Sequence, residues 1–583
     1  MTINLEKITR FYIFPLILFL FPFMNVNVGI DLTDTGYSLA NYTYFASAES
    51  SFILNTYISN VVGYALTSLP FGGTMLGMKI YTTLIVSATT LLAYRFFITK
   101  MPAWIAFVSL MAAVGLCWCP TVIIYNYLTY LFFLIAIIFL FRGLVAKRDY
   151  CLVLSGVFLG LNIFVRNPNI LQASLIFCLW YYGFIRHKTL KQVTKETLLC
   201  LSGYLGAVVV MCVIMMLHYG ARAPLDMVSA LFNMSATNAD YTFARMLWMI
   251  TEAYIGGAKW LLYMVLCILP GFPFLMTKLR GLFGNKINED TITLCKKILY
   301  SGAIIFLFYA FSRIGMYNFR YYQKESALEW AVVFIIISLA NMVWMLYSKR
   351  VDVHWKLIAS IGIMVILITP LGSNNRLWPV INNLFFIAPI TIWRVYYFAR
   401  YGRRYVGNEN TMIPLFPVKA MQFGIIIMFI IQSLGVGSFY VFRDGELGEI
   451  RNYRIERNDV LRGMRTNPQN ATNFQELSDF FAFFDDGVAV KESRLILYGD
   501  IPALSYYLNR PSAISNAWPD LDTFDSAQFK KELDEMKDRP VVIINANLTD
   551  RLAGLDKKKY LDDFIEKHDY VVIFRNDQFV VYF

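Results

Sequence analysis

The 583 residues predict a polytopic α-helical membrane protein of about 13 transmembrane helices, followed by a C-terminal extracytoplasmic α/β domain. Three observations lead there. Hydrophobic residues make up 57% of the chain and charged residues 16%, with mean hydropathy +0.51; soluble domains are roughly 45–50% apolar, so a soluble globular enzyme is excluded. The apolar residues gather into thirteen runs near the length of a bilayer crossing, about 20 residues of helix. The composition then changes: the last 142 residues carry 19 Lys/Arg and 25 Asp/Glu, whereas the preceding 441 carry 33 and 15.

The runs span approximately 11–28, 74–98, 102–118, 122–141, 150–165, 168–185, 197–217, 258–276, 298–315, 327–347, 356–371, 380–398 and 419–441. The first follows Lys7 and Arg10 without a small-residue cleavage site, which predicts a retained helix rather than a signal peptide. With the N-terminus cytoplasmic, one side of the membrane collects 24 Lys/Arg against 7 Asp/Glu, as the positive-inside rule requires. The net charge of +12 is therefore a topology signal and not a nucleic-acid footprint. An odd number of crossings puts residues 442–583 outside, in a plasma or inner membrane. The chain accordingly divides into a membrane domain, 1–441, and a water-facing domain, 442–583.

The tail alternates helix and strand: helices near 472–486, 526–538 and 556–567, and strands at 494–499, 540–546, 570–575 and 578–583, the last two joined at Asn576–Asp577. No Gly-rich phosphate loop follows a strand. In the membrane part, outer loops at 29–73 and 218–257 far exceed ordinary helix connections. Their half-apolar composition predicts helices lying in the interface. The eight Cys and four His are scattered, so zinc and His-nucleophile schemes lack parts.

The leading chemical feature is Asp31-Leu-Thr-Asp34-Thr-Gly36-Tyr37, just beyond the first run. Carboxylates at a membrane boundary are costly unless solvated, paired or used. On a helix, Asp31 and Asp34 at i, i+3 would share a face and could bind an acceptor hydroxyl or a divalent cation, Mg or Mn. Equally, Asp31 could cap a helix with Asp34 in its first turn. Spacing leaves both readings open.

An acid before Gly-Tyr after the first span, an Arg-x-Pro at the outer end of a later span (Gly160 to Pro168, with Arg166), and the tail stretch Leu497-Tyr-Gly-Asp500-Ile-Pro502-Ala-Leu-Ser-Tyr506-Tyr-Leu-Asn-Arg510-Pro511 together resemble the GT-C membrane glycosyltransferases. The branch most similar is that of protein O-mannosyltransferases and lipid A aminoarabinose transferases. The resemblance implies transfer of a sugar from a polyprenyl-phosphate donor to a glycan, lipid or protein acceptor on the outer face, in envelope glycan biosynthesis. It gives Asp34 the role of base or acceptor-binding group, with Asp31 assisting. Thr35 stands where many relatives have Glu, and Cys119-Pro120-Thr121 lacks a second acid found in some, so no metal site is assigned.

Displacing a lipid phosphate needs a base at the incoming hydroxyl and cations on the departing phosphate. The candidate cations are Arg166, whose planar fork suits phosphate and whose plain alternative is snorkelling; Arg320 and Lys324, four apart and expected on one helix face; and Arg376, which with Asn375 heads a polar turn between two spans. Tyr37 completes the candidate substrate contacts. Two other classes compete: an envelope polysaccharide polymerase or ligase, which the α/β tail disfavours, and a lipid-linked glycan transporter, which charge-free midspans and the lack of a repeat disfavour.

Overall fold

The computed structural model describes residues 5–47, 54–229, 242–276, 288–316, 318, 320, 323–401, 412–445, 449–487 and 493–583. Helical residues occupy part of each of the thirteen apolar runs. Six helices among the described residues are long and apolar enough to cross a membrane: Met75–Phe97, Ile124–Ala146, Leu190–Tyr219, Asp290–Arg313, Lys324–Tyr347 and Phe416–Phe439. Ala103–Gly115, Asp149–Val165 and Val353–Ile368 are shorter apolar helices.

Several starts are written locally. The Thr74 hydroxyl accepts from Gly77 N (3.1 Å) at the head of Met75–Phe97, and Asp352 accepts from His354 N (2.8 Å) at the head of Val353–Ile368. Thr189 and Gln192 form a reciprocal capping box before Leu190–Tyr219. Each satisfies amide donors that a helix start leaves open. Most of the helices contribute to one large apolar core, in which Phe334 and Phe429 stack at 3.9 Å between ring centroids.

One crossing matters for the site. A Cβ on Gly115 would lie 2.3 Å from Ser433 O, and one on Gly437 would lie 2.6 Å from Gly115 Cα. Two backbones touch here as only small residues allow. The contact brings the turn after Ala103–Gly115, with Trp118 and Cys119, beside the end of the Met412–Phe439 helix, with Tyr440 and Arg443.

The two long loops are not equivalent. The first holds the helices Asp34–Thr43 and Tyr57–Thr67. The second is shorter than expected, because the helix Phe243–Ile268 begins inside it; Thr242 caps that helix, and its apolar residues extend the 258–276 run. Residues 230–241 of this loop lie outside the described residues.

The tail opens with a two-residue antiparallel pair, β1 (Tyr453–Arg454) and β2 (Arg465–Thr466). A four-stranded sheet follows, from β3 (Leu495–Tyr498), β4 (Val541–Asn545), β5 (Val572–Arg575) and β6 (Phe579–Tyr582), in the order β3-β4-β6-β5. β3 and β4 run parallel; the other pairs are antiparallel. These strands and the helices Pro468–Gly487, Ser526–Asp534 and Asp556–Lys567 lie where the alternation predicts.

Side chains of a strand alternate between faces, and the two faces of this sheet have different partners. Ile496, Tyr498, Val542 and Ile544 pack with Phe529, Leu533, Leu561 and Phe564 of the tail's own helices. Leu495, Leu497, Val541 and Ile543 join a cluster that includes Ile30, Leu39, Tyr42 and Met75 of the membrane part. At roughly 1.5–3 kcal/mol for each large apolar side chain buried, the second face welds the tail to the first loop.

Candidate active site at the first loop

The helix Asp34–Thr43 begins at Asp34, so Asp31 lies outside it and the two carboxylates do not share a helix face. Asp31 is 2% exposed. Its Oδ1 accepts from Thr33 N (2.9 Å) and Thr33 Oγ1 (2.6 Å), and its Oδ2 from Thr35 N (2.8 Å). Both oxygens serve the loop, as a short polar side chain does at a helix start. The metal-sharing pair of the sequence reading is thus replaced by a structural carboxylate and a separate one. Among the described residues, no group of three or more His, Cys, Asp or Glu is placed to hold a metal ion.

Asp34 is the available carboxylate. Its side chain is 37% exposed, and Arg443 Nη1 stands 3.6 Å from its Oδ2. Burial pushes its carboxyl up to about 6; the Asp31 charge adds to this, and Arg443 opposes it. Arg443 also donates to Thr33 Oγ1 at 2.7 Å. Its backbone is left-handed, φ 46°, a conformation unusual outside glycine.

Other charges converge on the same place. Burial pushes the Cys119 thiol up to about 12, with Asp34 reinforcing the shift while Asn382, Lys324 and Arg443 oppose it. Lys324 stands at the first position of its helix, its Nζ 5.0 Å from the Trp118 ring centroid and 5.6 Å from those of Trp378 and Tyr440. Three electron-rich faces hold the ammonium. Arg166, at the end of Asp149–Val165, donates to Gly372 O at 3.0 Å.

The remaining candidates are placed differently. Arg320 precedes the helix that starts at Lys324, so these two do not share a helix face; Arg320 N donates to Asn318 Oδ1 (2.9 Å), in an exposed turn. Arg376 pairs with Glu252 at 3.3 Å, both half exposed. Asn375 N donates to Ser373 Oγ (3.2 Å) and its carbonyl accepts from Trp378 N (3.0 Å), so it shapes the turn that presents Trp378. Tyr37 lies edge-on to Trp518 of the tail at 5.6 Å, and burial pushes its phenol up.

Beneath the Asp31 loop lies a cavity of about 140 Å³. Asp31, Thr35, Thr83 and Thr121 give it polar walls, Trp118 and Tyr440 line it beside Lys324, and Lys79 enters from the Met75–Phe97 helix. Lys79 Nζ donates to Val28 O at 2.8 Å. Lys79 and Arg443 are the site cations that sequence reasoning passed over. Lys79 lies inside the apolar run 74–98, and Arg443 lies just past the last run.

The geometry defines a half-buried carboxylate facing a cation at one end of a helical bundle, against an α/β tail. No family model matches the chain, and no curated protein matches it. Among solved structures, the chain is similar to ArnT from Cupriavidus metallidurans bound to undecaprenyl phosphate, with 13% identity over 100% of this chain and 98% of that one, TM-score 0.42. It is also similar to the oligosaccharyltransferase AglB from Archaeoglobus fulgidus in complex with an inhibitory peptide and a dolichol-phosphate, with 10% identity over 93% of this chain and 69% of that one, TM-score 0.41.

Proposed function

We propose that the chain is a membrane glycosyltransferase that moves a sugar from a polyprenyl-phosphate donor to a hydroxyl acceptor at the extracytoplasmic face, with Asp34 as general base. The observation that carries this reading is Asp34 itself: a carboxylate with its acidity tuned to about 6, beside Arg443, among the cations a departing phosphate needs. A base works best with its pKa near the working pH. In the step, the acceptor O–H gives its proton to Asp34 and the acceptor oxygen bonds to the anomeric carbon. The bond from that carbon to the phosphate oxygen breaks, and its electron pair leaves on the polyprenyl phosphate.

Preorganised cations at the place where charge develops are commonly the largest catalytic contribution. Lys79 lines the cavity, Lys324 packs on the Trp118 and Tyr440 rings of its wall, and Arg443 faces Asp34; Arg166 is the further candidate cation. Lys324 suits this role because its charge is held by rings and not by a carboxylate, which leaves it available to an anion. The tail forms one wall, and the acceptor approaches from the water-facing side.

The pH dependence tests the reading. Asp34 accepts a proton only when ionised, so kcat/KM for transfer from a polyprenyl-phosphate sugar should be flat above pH 7. It should fall tenfold per unit as the pH drops below about 6, the value to which burial raises the group. A profile with no acid limb between pH 5 and 7 would rule Asp34 out as the base.

A further inference from the structure

The tail does more than cover the site. Tyr507, buried at 2% exposure in the short helix Leu504–Tyr507, donates its hydroxyl proton to the backbone carbonyl of Asp31 at 2.6 Å. Ala503 N donates to Leu32 O at 3.0 Å. A Cβ on Gly36 would lie 2.1 Å from Ala503 Cβ and 2.4 Å from its Cα, so the first turn of Asp34–Thr43 and the tail touch backbone to backbone. Three contacts from one tail segment therefore grip residues 31, 32 and 36, on both sides of Asp34.

That segment is itself fixed. Gly499 and Asp500, both with left-handed backbones at φ 102° and 57°, turn the chain out of β3. Their amides donate to Oδ2 of the buried Asp520 at 3.2 and 2.7 Å. Burial pushes the Asp520 carboxyl up to about 6, an effect those amides oppose. On the far side, Asn458 Nδ2 donates to Tyr507 O at 2.8 Å, and Phe474 lies edge-on to the Tyr507 ring at 5.7 Å.

From the first loop a chain of hydrogen bonds continues to the proposed base. Tyr507 holds the Asp31 backbone, the Asp31 carboxylate holds Thr33 N, Thr33 Oγ1 and Thr35 N, and Thr33 Oγ1 in turn accepts from Arg443, which faces Asp34. We infer that the tail is a working part of the active site and that Tyr507 is a positioning residue, setting the Asp31–Thr35 loop so that Asp34 and Arg443 meet in register. The inference rests on Asp34 being the base. Transfer chemistry is sensitive to misplacement of its groups, and a buried hydroxyl aimed at a catalytic loop supplies that placement where a flexible outer loop would not.

Tyr507→Phe is the test, because it keeps the ring and its packing and removes only the hydrogen bond. Two measurements are made on the full-length protein in detergent or vesicles. In steady-state kinetics with a polyprenyl-phosphate sugar, kcat should fall roughly tenfold with KM for the donor unchanged, the size expected for one buried hydrogen bond. In hydrogen–deuterium exchange, peptides covering residues 31–37 should exchange several-fold faster, while those covering 495–498 and 541–545 keep their protection. Unchanged kcat, or unchanged exchange at 31–37, overturns the inference, and so does uniform loosening of the tail sheet. Should Asp34→Asn transfer normally while exchange at 31–37 still responds to Tyr507→Phe, the reading of Asp34 as base fails and the coupling of tail to loop stands.

Discussion

Two regions of the molecule carry the polar residues that the sequence singles out, and they are built in opposite ways. In the first, residues 31–37, both Asp31 oxygens are engaged, the backbone is gripped from the tail, and the one free carboxylate faces an arginine. In the second, around Asn318, Arg320 and residues 372–378, Arg320 is exposed and Arg376 forms a half-exposed ion pair with Glu252. An exposed pair of this kind contributes about 0–1 kcal/mol; a buried polar network that is fully satisfied imposes one geometry. Two regions with similar composition thus divide into a site and its surroundings, according to which one the tail covers.

The grip of the tail on the first loop is most sensitive at Gly36. In an exposed helix Gly→Ala would gain about 1 kcal/mol, but here the added methyl would lie 2.1 Å from Ala503 Cβ, and overpacking of this kind costs typically 1–3 kcal/mol. The clash should win, because the backbone at Ala503 Cα, 2.4 Å away, cannot swing aside as a side chain can. Gly36→Ala is therefore expected to lower the thermal inactivation temperature of the full-length protein by several degrees and to cut transfer by more than Tyr507→Phe does. Equal or higher stability would show that the tail does not press on the loop.

The smallest effect belongs to the second region. Arg376→Gln removes one half-exposed ion pair, and transfer should stay within about threefold of wild type in kcat/KM. A loss beyond tenfold would move the 372–378 turn into the phosphate site and erase the contrast.

The tail strands and helices were legible because their patterning depends on neighbours a few residues away. β3 and β4 announce themselves by short apolar runs, Leu-Ile-Leu-Tyr and Val-Val-Ile-Ile. Asp31 was ambiguous because a capping carboxylate and a catalytic one look alike in sequence, and only the partners of its oxygens decide. Arg320 was misplaced because four-residue spacing means a shared face only inside a helix, and that helix starts at Lys324. Arg443 and Tyr507 were out of reach for a different reason: their partners Thr33 and Asp31 lie 410 and 476 residues away. The aromatic setting of Lys324 is equally non-local, with rings from three separate turns.

Substitution of Asp34 by Asn tests the central claim most directly. Asn keeps the size and the contact with Arg443 but cannot take a proton, and general-base catalysis contributes typically 10²- to 10⁴-fold. Transfer of sugar from a polyprenyl-phosphate donor by the purified protein, measured at pH 7.5, should fall at least about a hundredfold in Asp34→Asn, with donor binding and thermal stability retained. Transfer at the wild-type rate by a folded, donor-binding Asp34→Asn protein would contradict the account.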